Sequence, residues 1–391
     1  MAPHDARDSI RLPNCDETRL PVTRARHAPG LLYTSPELFE QEKETIFMRD
    51  WLCVGRAEEI ENPGDFMTCR ILGEPVLVVR AQSGEVNAFA NVCAHRGVEV
   101  ATGSGNCRHF CCPFHGWTYD LDGRLVGAPA MREAESFPAA DCRLPLLQSG
   151  VWQGWIFISF AKNPPPLSEH VAPMERDFGY LRQDECRLAV KTVGEFDCNW
   201  KLLVENLIDF YHLNVVHTQT NGRTFTRSAF KFTPRERSGY VARYNSGPST
   251  LSGKPVFGRM PWLSDLPDDF ASAGLLAPNF TFFARIDDIH PYVTWPLGPN
   301  RSRIVVYSLL PRIWFDQPDF AERAEEYRAY QEKLMAEDRA MLESQQNGMA
   351  SRNYRPGRMA YIERGVHHVL NGYIERMVRA ETQESGKEAA E

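Results

Sequence analysis

A chain of 391 residues, 43% hydrophobic and 24% charged, is long enough for two or three buried cores and has the composition of a globular protein, not a disordered or fibrous one. Its net charge of -7 excludes the concentrated basic face that a nucleic-acid partner needs, and no apolar run has the length of a secretory leader or a membrane span, so the expected compartment is the cytoplasm with no membrane partner. Ten cysteines in that compartment read as metal ligands and reduced thiols instead of disulfides. In chain order, residues 1–30 are polar and aperiodic and predict an arm lying across the surface or a neighbouring subunit. Thr34-Ser35-Pro36-Glu37 supplies capping residues and an early proline for a helix through Met48. From Trp51 to about Phe160 the pattern is that of short strands, with turns at Ser83-Gly84, Asp122-Gly123 and Ser149-Gly150, and Lys162-Asn163-Pro164-Pro165-Pro166 closes it as a stiff linker. Beyond it, Trp200–His212 is helical in pattern, Ile304–Leu310 suits a buried strand, Pro318–Gln346 is a long helix with Gly348 as its stop, and the last fifteen or so residues read as frayed. The implied division is an arm and helix over 1–45, a β unit over 46–165 and a larger α+β unit over 166–391.

The β unit contains Cys93-x-His95 and, sixteen residues on, Cys112-Pro113-Phe114-His115. Thiolates and neutral imidazoles suit both iron and zinc, but structural zinc sites usually pair like with like in each knuckle. Here each loop gives one cysteine and one histidine, so two facing loops can place both sulfurs on one iron and both nitrogens on the other, as in a Rieske 2Fe-2S cluster. Zinc is the alternative. Cys107-x-His109 has the same spacing as the first pair but lies too close to Cys111 for a separate facing loop, and Cys111 competes with Cys112 as a ligand. Arg96, Arg108 and His109 could offer an acidic electron donor a positive rim, or merely a solvated surface. Cys15, Cys53, Cys69, Cys142, Cys186 and Cys198 lack metal-like spacing and read as small buried hydrophobes.

The second motif is Asp209-x-x-His212-x4-His217. Asp209 and His212, three apart on a helix, share a face and can hydrogen-bond. His212 and His217 are roughly 140° apart on a regular helix, so both reach one metal only if the helix breaks after His212, which Asn214, Val215 and Val216 permit. Two histidines and a distant carboxylate with positions left open make a non-haem Fe(II) site. In the helix from Pro318, the residues Phe320, Tyr327, Leu334, Met341 and Gln345 share a stripe, and Asp338 lies within about 20° of its centre. A buried lone carboxylate is costly unless paired or coordinated, which makes Asp338 the third ligand, with an ion pair to arginine as the alternative role. Glu337 sits at the margin of the stripe and Glu343 on the opposite face. His290, His367 and His368 read as packing or surface residues.

Together with Asn199-Trp200-Lys201-x3-Glu205-Asn206 before the second motif, Gly116-Trp117 after the first, and the segment Glu337-Asp338-x4-Glu343-Ser344-Gln345, the chain resembles the Rieske non-haem iron aromatic-ring-hydroxylating oxygenases, terminal oxygenase α subunit, from about Leu31 to Met377. The resemblance implies an α+β chain with an N-terminal Rieske β domain and a C-terminal helix-grip catalytic domain. It implies one 2Fe-2S cluster on Cys93, His95, Cys112 and His115, and one mononuclear Fe(II) on His212, His217 and Asp338. Asp209 would link that iron to the cluster of a neighbouring subunit in a homotrimer, with or without a small β subunit. The expected reaction uses O2, with electrons from NADH through a partner reductase or ferredoxin, to hydroxylate a small aromatic substrate; the chain has no Rossmann fingerprint with which to bind NADH itself. Oxidative N- or O-demethylation, including oxidation of quaternary amines, is the alternative, and a non-enzymatic electron-transfer or zinc protein is the alternative of another class. A quaternary amine needs an aromatic cage or an acidic partner, for which Asp287, Asp288 and Trp295 are candidates; an aromatic acid needs a cationic clamp, for which Arg223, Arg227 and Arg285 are candidates.

Overall fold

The computed structural model describes residues 12–137 and 140–388, so the first eleven residues of the expected arm and the last three of the tail lie outside the described residues. The chain forms two compact units. The smaller comprises residues 47–172 and 182–188, and the larger comprises the N-terminal segment to residue 46, residues 173–181 and everything from 189 onward. No helix among the described residues is long and apolar enough to cross a membrane.

The smaller unit is built on strands β1 (Leu52–Arg56), β2 (Asp65–Ile71), β3 (Glu74–Arg80), β4 (Val86–Ala90), β5 (Ser104–Asn106), β6 (Phe110–Cys111), β7 (Thr118–Tyr119), β8 (Leu125–Gly127), β9 (Leu146–Trp152) and β10 (Trp155–Ser159). They form a seven-stranded sheet in the order β1-β10-β9-β4-β3-β2-β5 and a small three-stranded sheet β6-β7-β8. Two of its hairpins turn on two residues with positive φ: Leu72-Gly73 at +50° and +91°, and Gln153-Gly154 at +44° and +80°. That geometry matches the right-handed twist of the flanking strands. The turn expected at Ser149-Gly150 is therefore absent; both residues lie inside β9, and a Cβ on Gly150 would come within 2.6 Å of Leu167 Cδ2. Glycine there serves close packing, not chain reversal. The core gathers Leu77, Phe89, Phe110, Trp117, Tyr119 and Leu144 together with Cys93 and Cys112.

The larger unit contains helices α1 (Leu31–Thr34) and α2 (Pro36–Glu42), then α3 (Leu167–Phe178), whose first six residues belong to the smaller unit. After β11 (Cys186–Phe196) come α4 (Trp200–Ile208), the single turn α5 (Leu213–Val216), β12 (Lys231–Pro234), β13 (Tyr240–Asn245), β14 (Phe270–Leu276), β15 (Phe280–Arg285), β16 (Ile289–Gly298), β17 (Arg301–Pro311), α6 (Phe320–Met349) and α7 (Arg364–Glu388). The seven strands form one sheet in the order β11-β17-β16-β15-β14-β13-β12. Ser35 caps α2 by accepting from Leu38 N at 3.1 Å, but the last turn widens into a π turn over Lys43–Phe47 in place of a regular helix to Met48. Residues 12–30 of the arm hold to this same unit: Arg26 bridges Arg358, and His367 meets the Leu20 carbonyl at 2.8 Å.

Several expected boundaries move for local reasons. Helix α4 stops at Ile208, short of His212. Helix α6 runs to Met349, and Gly348 lies inside its last turn. The buried stripe of α6 is Tyr327, Gln331, Leu334, Asp338, Leu342 and Gln346, whereas Met341 and Gln345 are exposed. A 30-residue straight helix drifts off any seven-residue repeat, so the 341 and 345 positions rotate out of the interface. The tail expected to fray continues as helix α7 to Glu388.

A buried polar cluster ties α2, α4 and α7 together. Glu42 is fully buried; its carboxylate pairs with Lys201 Nζ and accepts from Trp200 Nε1 at 2.6 Å and Tyr373 OH at 2.7 Å. Burial pulls the Lys201 pKa below its ordinary value, and the Glu42 charge opposes that pull. Glu42→Ala should therefore strand a buried ammonium and lower stability by about 3–5 kcal/mol, read as a shift of the chemical-denaturation midpoint followed by circular dichroism. A loss below about 1 kcal/mol would show the pair to behave as a surface bridge.

Candidate active site and metal centres

In the smaller unit the two Cys/His loops are built alike. Cys93 N donates to Val98 O at 2.8 Å and Gly97 N to Cys93 O at 2.9 Å; Cys112 N donates to Trp117 O at 2.8 Å and Gly116 N to Cys112 O at 3.0 Å. Each loop closes through a glycine four residues after its cysteine, at φ +77° for Gly97 and +71° for Gly116. That shared Gly offset was the sequence signal that sets Cys112 apart from Cys111. Cys93 and Cys112 are buried, His95 and His115 are exposed, and the two imidazole rings lie 4.6 Å apart, with His95 stacked on Trp117. Tyr119 OH lies 3.2 Å from Cys93 Sγ, and the backbone N–H groups of Phe114 and His115 point at the Cys112 sulfur. Burial and the facing Cys93 thiol raise the Cys112 pKa, while desolvation with His95 and Arg96 lowers that of His115. Two thiols pressed together in an apolar pocket, beside two imidazoles, are a donor set that fits a cluster with a sulfur side and a nitrogen side. Cys111 is exposed on β6, Cys107 is half-buried in the core, and His109 is exposed, so none of the competing residues joins the four. Arg96 covers the exposed Phe114 ring at 5.2 Å.

In the larger unit the chain leaves helical geometry at Asp209 (φ -86°, ψ 105°), whose carboxylate accepts from Tyr211 N at 2.7 Å. The break thus comes before His212 and not after it. Helix α5 is a single turn between the two histidines, and Gly222 N closes it by donating to His217 O at 3.0 Å. A Cβ on Gly222 would meet Leu213 O at 2.0 Å, so this loop admits no larger residue without moving. The result brings His212 Nε2 to 3.2 Å from His217 Nε2, and Asp338 Oδ1, from α6, to 3.1 Å from His217 Nε2 and 3.7 Å from His212 Nε2. Of the described residues, these three form the one group of ligating side chains whose donor atoms all lie within 4.8 Å of one another.

The far nitrogen of each imidazole is held by a carboxylate. His212 Nδ1 lies 3.0 Å from Asp209 Oδ2, and His217 Nδ1 lies 2.8 Å from Glu337 Oε2, which also accepts from Thr220 Oγ1 at 2.8 Å. Such partners fix the tautomer, leaving each Nε2 lone pair aimed at the common point. Glu337, which the stripe put at its margin, is therefore a member of the site, and its signal was its place beside a candidate ligand. Asp338 Oδ1 is buried with no hydrogen-bond partner. Burial opposes protonation of His217, but Asp338 and Glu337 outweigh it and raise the pKa. A pocket with that excess of negative charge draws a cation as it draws a proton. Two nitrogens and one carboxylate oxygen fit a ferrous ion with open positions.

Phe210, Tyr244, Phe283, Arg285, His290 and Tyr292 line the cavity beside these ligands. Trp295 does not; it lies an odd number of residues from His290 and Tyr292 on β16 and so projects from the other face of the sheet. Arg223 and Arg227 also stand outside it: Arg223 meets the Thr220 and Leu251 carbonyls, and Arg227 lies over the Tyr211 ring. His290, expected as packing, is paired with Asp288 at 3.1 Å. His367 and His368 bond to the carbonyls of Leu20 and Gly239.

A domain with a two-sided cysteine and histidine pocket, joined in one chain to a domain with a two-histidine, one-carboxylate pocket, defines a Rieske-type non-haem iron oxygenase. Comparison with known proteins agrees. The sequence profile of the family described as Ring hydroxylating alpha subunit (catalytic domain) matches residues 179–379, and that of the Rieske [2Fe-2S] domain matches residues 50–138. The chain belongs to the ring hydroxylating alpha subunit family: it is an oxidoreductase with a Rieske cluster in its N-terminal domain and a mononuclear iron in its catalytic domain. Enzymes of this kind take electrons from a reductase or ferredoxin. Curated relatives include the glycine betaine monooxygenase oxygenase subunit of Pseudomonas aeruginosa, 29% identical with 91% of this chain and 90% of that one covered. The chloroplastic choline monooxygenase of Arabidopsis thaliana is 28% identical over 90% and 83%. The fold is shared with a crystallised quaternary ammonium Rieske monooxygenase in complex with L-carnitine, at a TM-score of 0.76, 22% identity, and coverage of 95% of this chain and 99% of that one.

Behind the cavity wall, burial and then the Asp288 charge push the Asp287 carboxyl up to about 8 from its ordinary 3.8. Unfolding releases that proton from a group that then titrates near 3.8, so the folded chain holds more protons between these values and stability falls as pH rises through them. Asp287→Asn should flatten this decline, measured as the denaturation midpoint at pH 5 and pH 8. An unchanged slope would assign the decline to other groups.

Proposed function

We propose that this chain is the oxygenase component of a multicomponent monooxygenase that hydroxylates a C–H bond of a small quaternary ammonium compound, in place of the small aromatic substrate that its family resemblance first suggests. The observation that carries this reading is the aromatic wall beside the two histidines and Asp338: Phe210 packs edge-on against Tyr244 at 4.8 Å, and Phe283 against Tyr292 at 5.3 Å. Ring faces hold a quaternary ammonium, which can donate no hydrogen bond, by charge–quadrupole attraction. The relatives that match nine-tenths of the chain, named for glycine betaine and choline, support the same class.

In this reading Cys93, Cys112, His95 and His115 hold the cluster, and His212, His217 and Asp338 hold the iron. When bound, the iron would activate dioxygen with an electron drawn through the cluster. The side chains supply the rest. Asp209 and Glu337 hold the two imidazoles in one tautomer and orientation. Phe210, Phe283 and Tyr292 exclude water and present the carbon beside nitrogen to the open side of the ligand set. Asp209 is also the link toward the cluster of a neighbouring subunit in a homotrimer, with NADH as the ultimate donor through a separate reductase, and the enzyme works in the cytoplasm. The balance is R–H + O2 + 2e⁻ + 2H⁺ → R–OH + H2O, and hydroxylation of a carbon bonded to nitrogen leads to an aldehyde and a tertiary amine.

Purified protein should carry about three irons per chain with acid-labile sulfide, two in the cluster and one mononuclear. Cys112→Ser should abolish the red-brown colour and Cys111→Ser should not. Asp338→Ala should keep the cluster spectrum and lose the third iron. Asp209→Asn should keep both metals, yet slow oxidation of the reduced cluster by O2 in a single turnover; a wild-type rate there would remove the link role. The reaction class is tested with a surrogate reductase, labelled dioxygen, and a panel of glycine betaine, carnitine, choline, benzoate and naphthalene. Equal amounts of tertiary amine and aldehyde from a quaternary ammonium compound are expected, with one labelled atom in the aldehyde trapped as it forms, and turnover confined to the arenes would overturn the proposal.

A further inference from the structure

The cavity beside the two histidines and Asp338 has a buried guanidinium among its lining residues. Arg285 ends β15 and is 1% exposed. It lies two residues beyond Phe283 on the same sheet face, in one cross-strand row with Ala271 and Tyr244. The small Ala271 and, in the next row, Ala242 and Ala273 leave the space into which these larger side chains reach. The guanidinium is surrounded by hydroxyls: Nε donates to Ser246 Oγ at 3.1 Å, Nη1 donates to Ser249 Oγ, and the Tyr330 ring lies beneath it at 5.7 Å. Among the described residues no carboxylate oxygen approaches it within 4.0 Å.

The balancing acid is set behind it. Asp288 Oδ1 accepts from Ser249 Oγ at 2.7 Å, and Oδ2 lies 3.1 Å from His290 Nδ1, so this carboxylate is reached from Arg285 only through a serine. Neither Asp287 nor Asp288 lines the cavity, whereas Arg285, Tyr244 and His290 do. The carboxylates that do line the cavity, Asp209 and Asp338, stand at the histidines, the first holding His212 and the second facing the ligand nitrogens, so a ligand at Arg285 meets the cation first. In a medium of low dielectric a second, uncompensated positive charge in the same pocket is repelled, while an anionic group gains a charge-assisted bond.

We infer that Arg285, with the Tyr244 hydroxyl beside it, is a specificity-determining site for a carboxylate on the substrate, so that the enzyme takes zwitterionic ammonium carboxylates and rejects simple quaternary cations. This rests on the quaternary ammonium reading given above. The carboxylate seats at Arg285, the ammonium lies against Phe210, Phe283 and Tyr292, and the carbon beside nitrogen is thereby held toward His212, His217 and Asp338. Both charges of the substrate are answered, and its length sets which carbon is presented.

The test compares glycine betaine with choline, which has the same trimethylammonium group but a hydroxymethyl group in place of the carboxylate. With the metal-loaded enzyme and a surrogate reductase, kcat/KM for glycine betaine or γ-butyrobetaine should exceed that for choline by about a hundredfold or more. Calorimetric titration without reductase should show the same order of binding. Choline used as well as the betaines would overturn the inference while leaving the quaternary ammonium reading intact. Arg285→Met should cost the betaines about a hundredfold and narrow their lead over choline, and Arg285→Lys should recover part of it. Tyr244→Phe is a milder variant should Arg285→Met fail to fold, and it should weaken betaine binding more than choline binding. Benzoate oxidised to the exclusion of every quaternary ammonium, and in an Arg285-dependent way, would overturn the quaternary ammonium reading and leave the carboxylate role standing.

Discussion

Three electron-rich atoms held within 4.8 Å of one another repel, and most of the larger unit is arranged to keep them there. Helix α4 must end early enough to free His212, and it does so because the Asp209 side chain caps its own backbone turn. The loop after His217 must return sharply, and Gly222 permits it. The third atom comes from a helix of 30 residues, long enough to be fixed by packing along its whole length. The start of α4 is in turn anchored by the buried Glu42–Lys201 pair, so that a contact with the N-terminal helix α2 sets the position of a histidine eleven residues further on.

The cluster pocket solves a different problem. Its sulfurs are buried in an apolar core and its imidazoles stand at the surface, so one half of the ligand set stabilises charge by backbone N–H groups and the other half meets solvent. At the iron pocket His217 and Asp338 are buried and a carboxylate stands behind each imidazole. The first arrangement suits a group that passes electrons outward through exposed rings; the second suits chemistry from which water is kept away.

The parts of this fold that were legible in the sequence are those set by local spacing. The Cys-x-His and Cys-x-x-His offsets, the Asp209, His212 and His217 spacing, the strand run ending near Leu310 and the inward position of Asp338 all reappear. What was misplaced depended on side-chain partners and packing that residue spacing alone does not show. The break in α4 lies before His212 because the Asp209 side chain, inside the expected helix, captures Tyr211 N. Gly150 looked like a turn but yields to Leu167. Met341 fell on the counted stripe yet faces solvent, since the stripe drifts around the helix. Glu337 takes its role from a partner 120 residues away that only the folded chain brings to it, and His290 from Asp288, two residues before it, at a spacing that sequence periodicity does not mark. Spacing does not distinguish Arg285 from Arg223 and Arg227; its place on β15, paired with β14, is what turns it to the cavity.

Consecutive residues of α6 flank His217, Glu337 holding Nδ1 and Asp338 facing Nε2. Through Glu337 that imidazole is tied to α6, whereas the Nδ1 of His212, on the segment that follows α4, is held by Asp209. The ligand set accordingly has a seam. A separation of α4 from α6 would carry His217 with Asp338 and open between them and His212. Entry and loss of the metal should follow the same seam, on the side where His212 is 16% exposed and His217 only 2%.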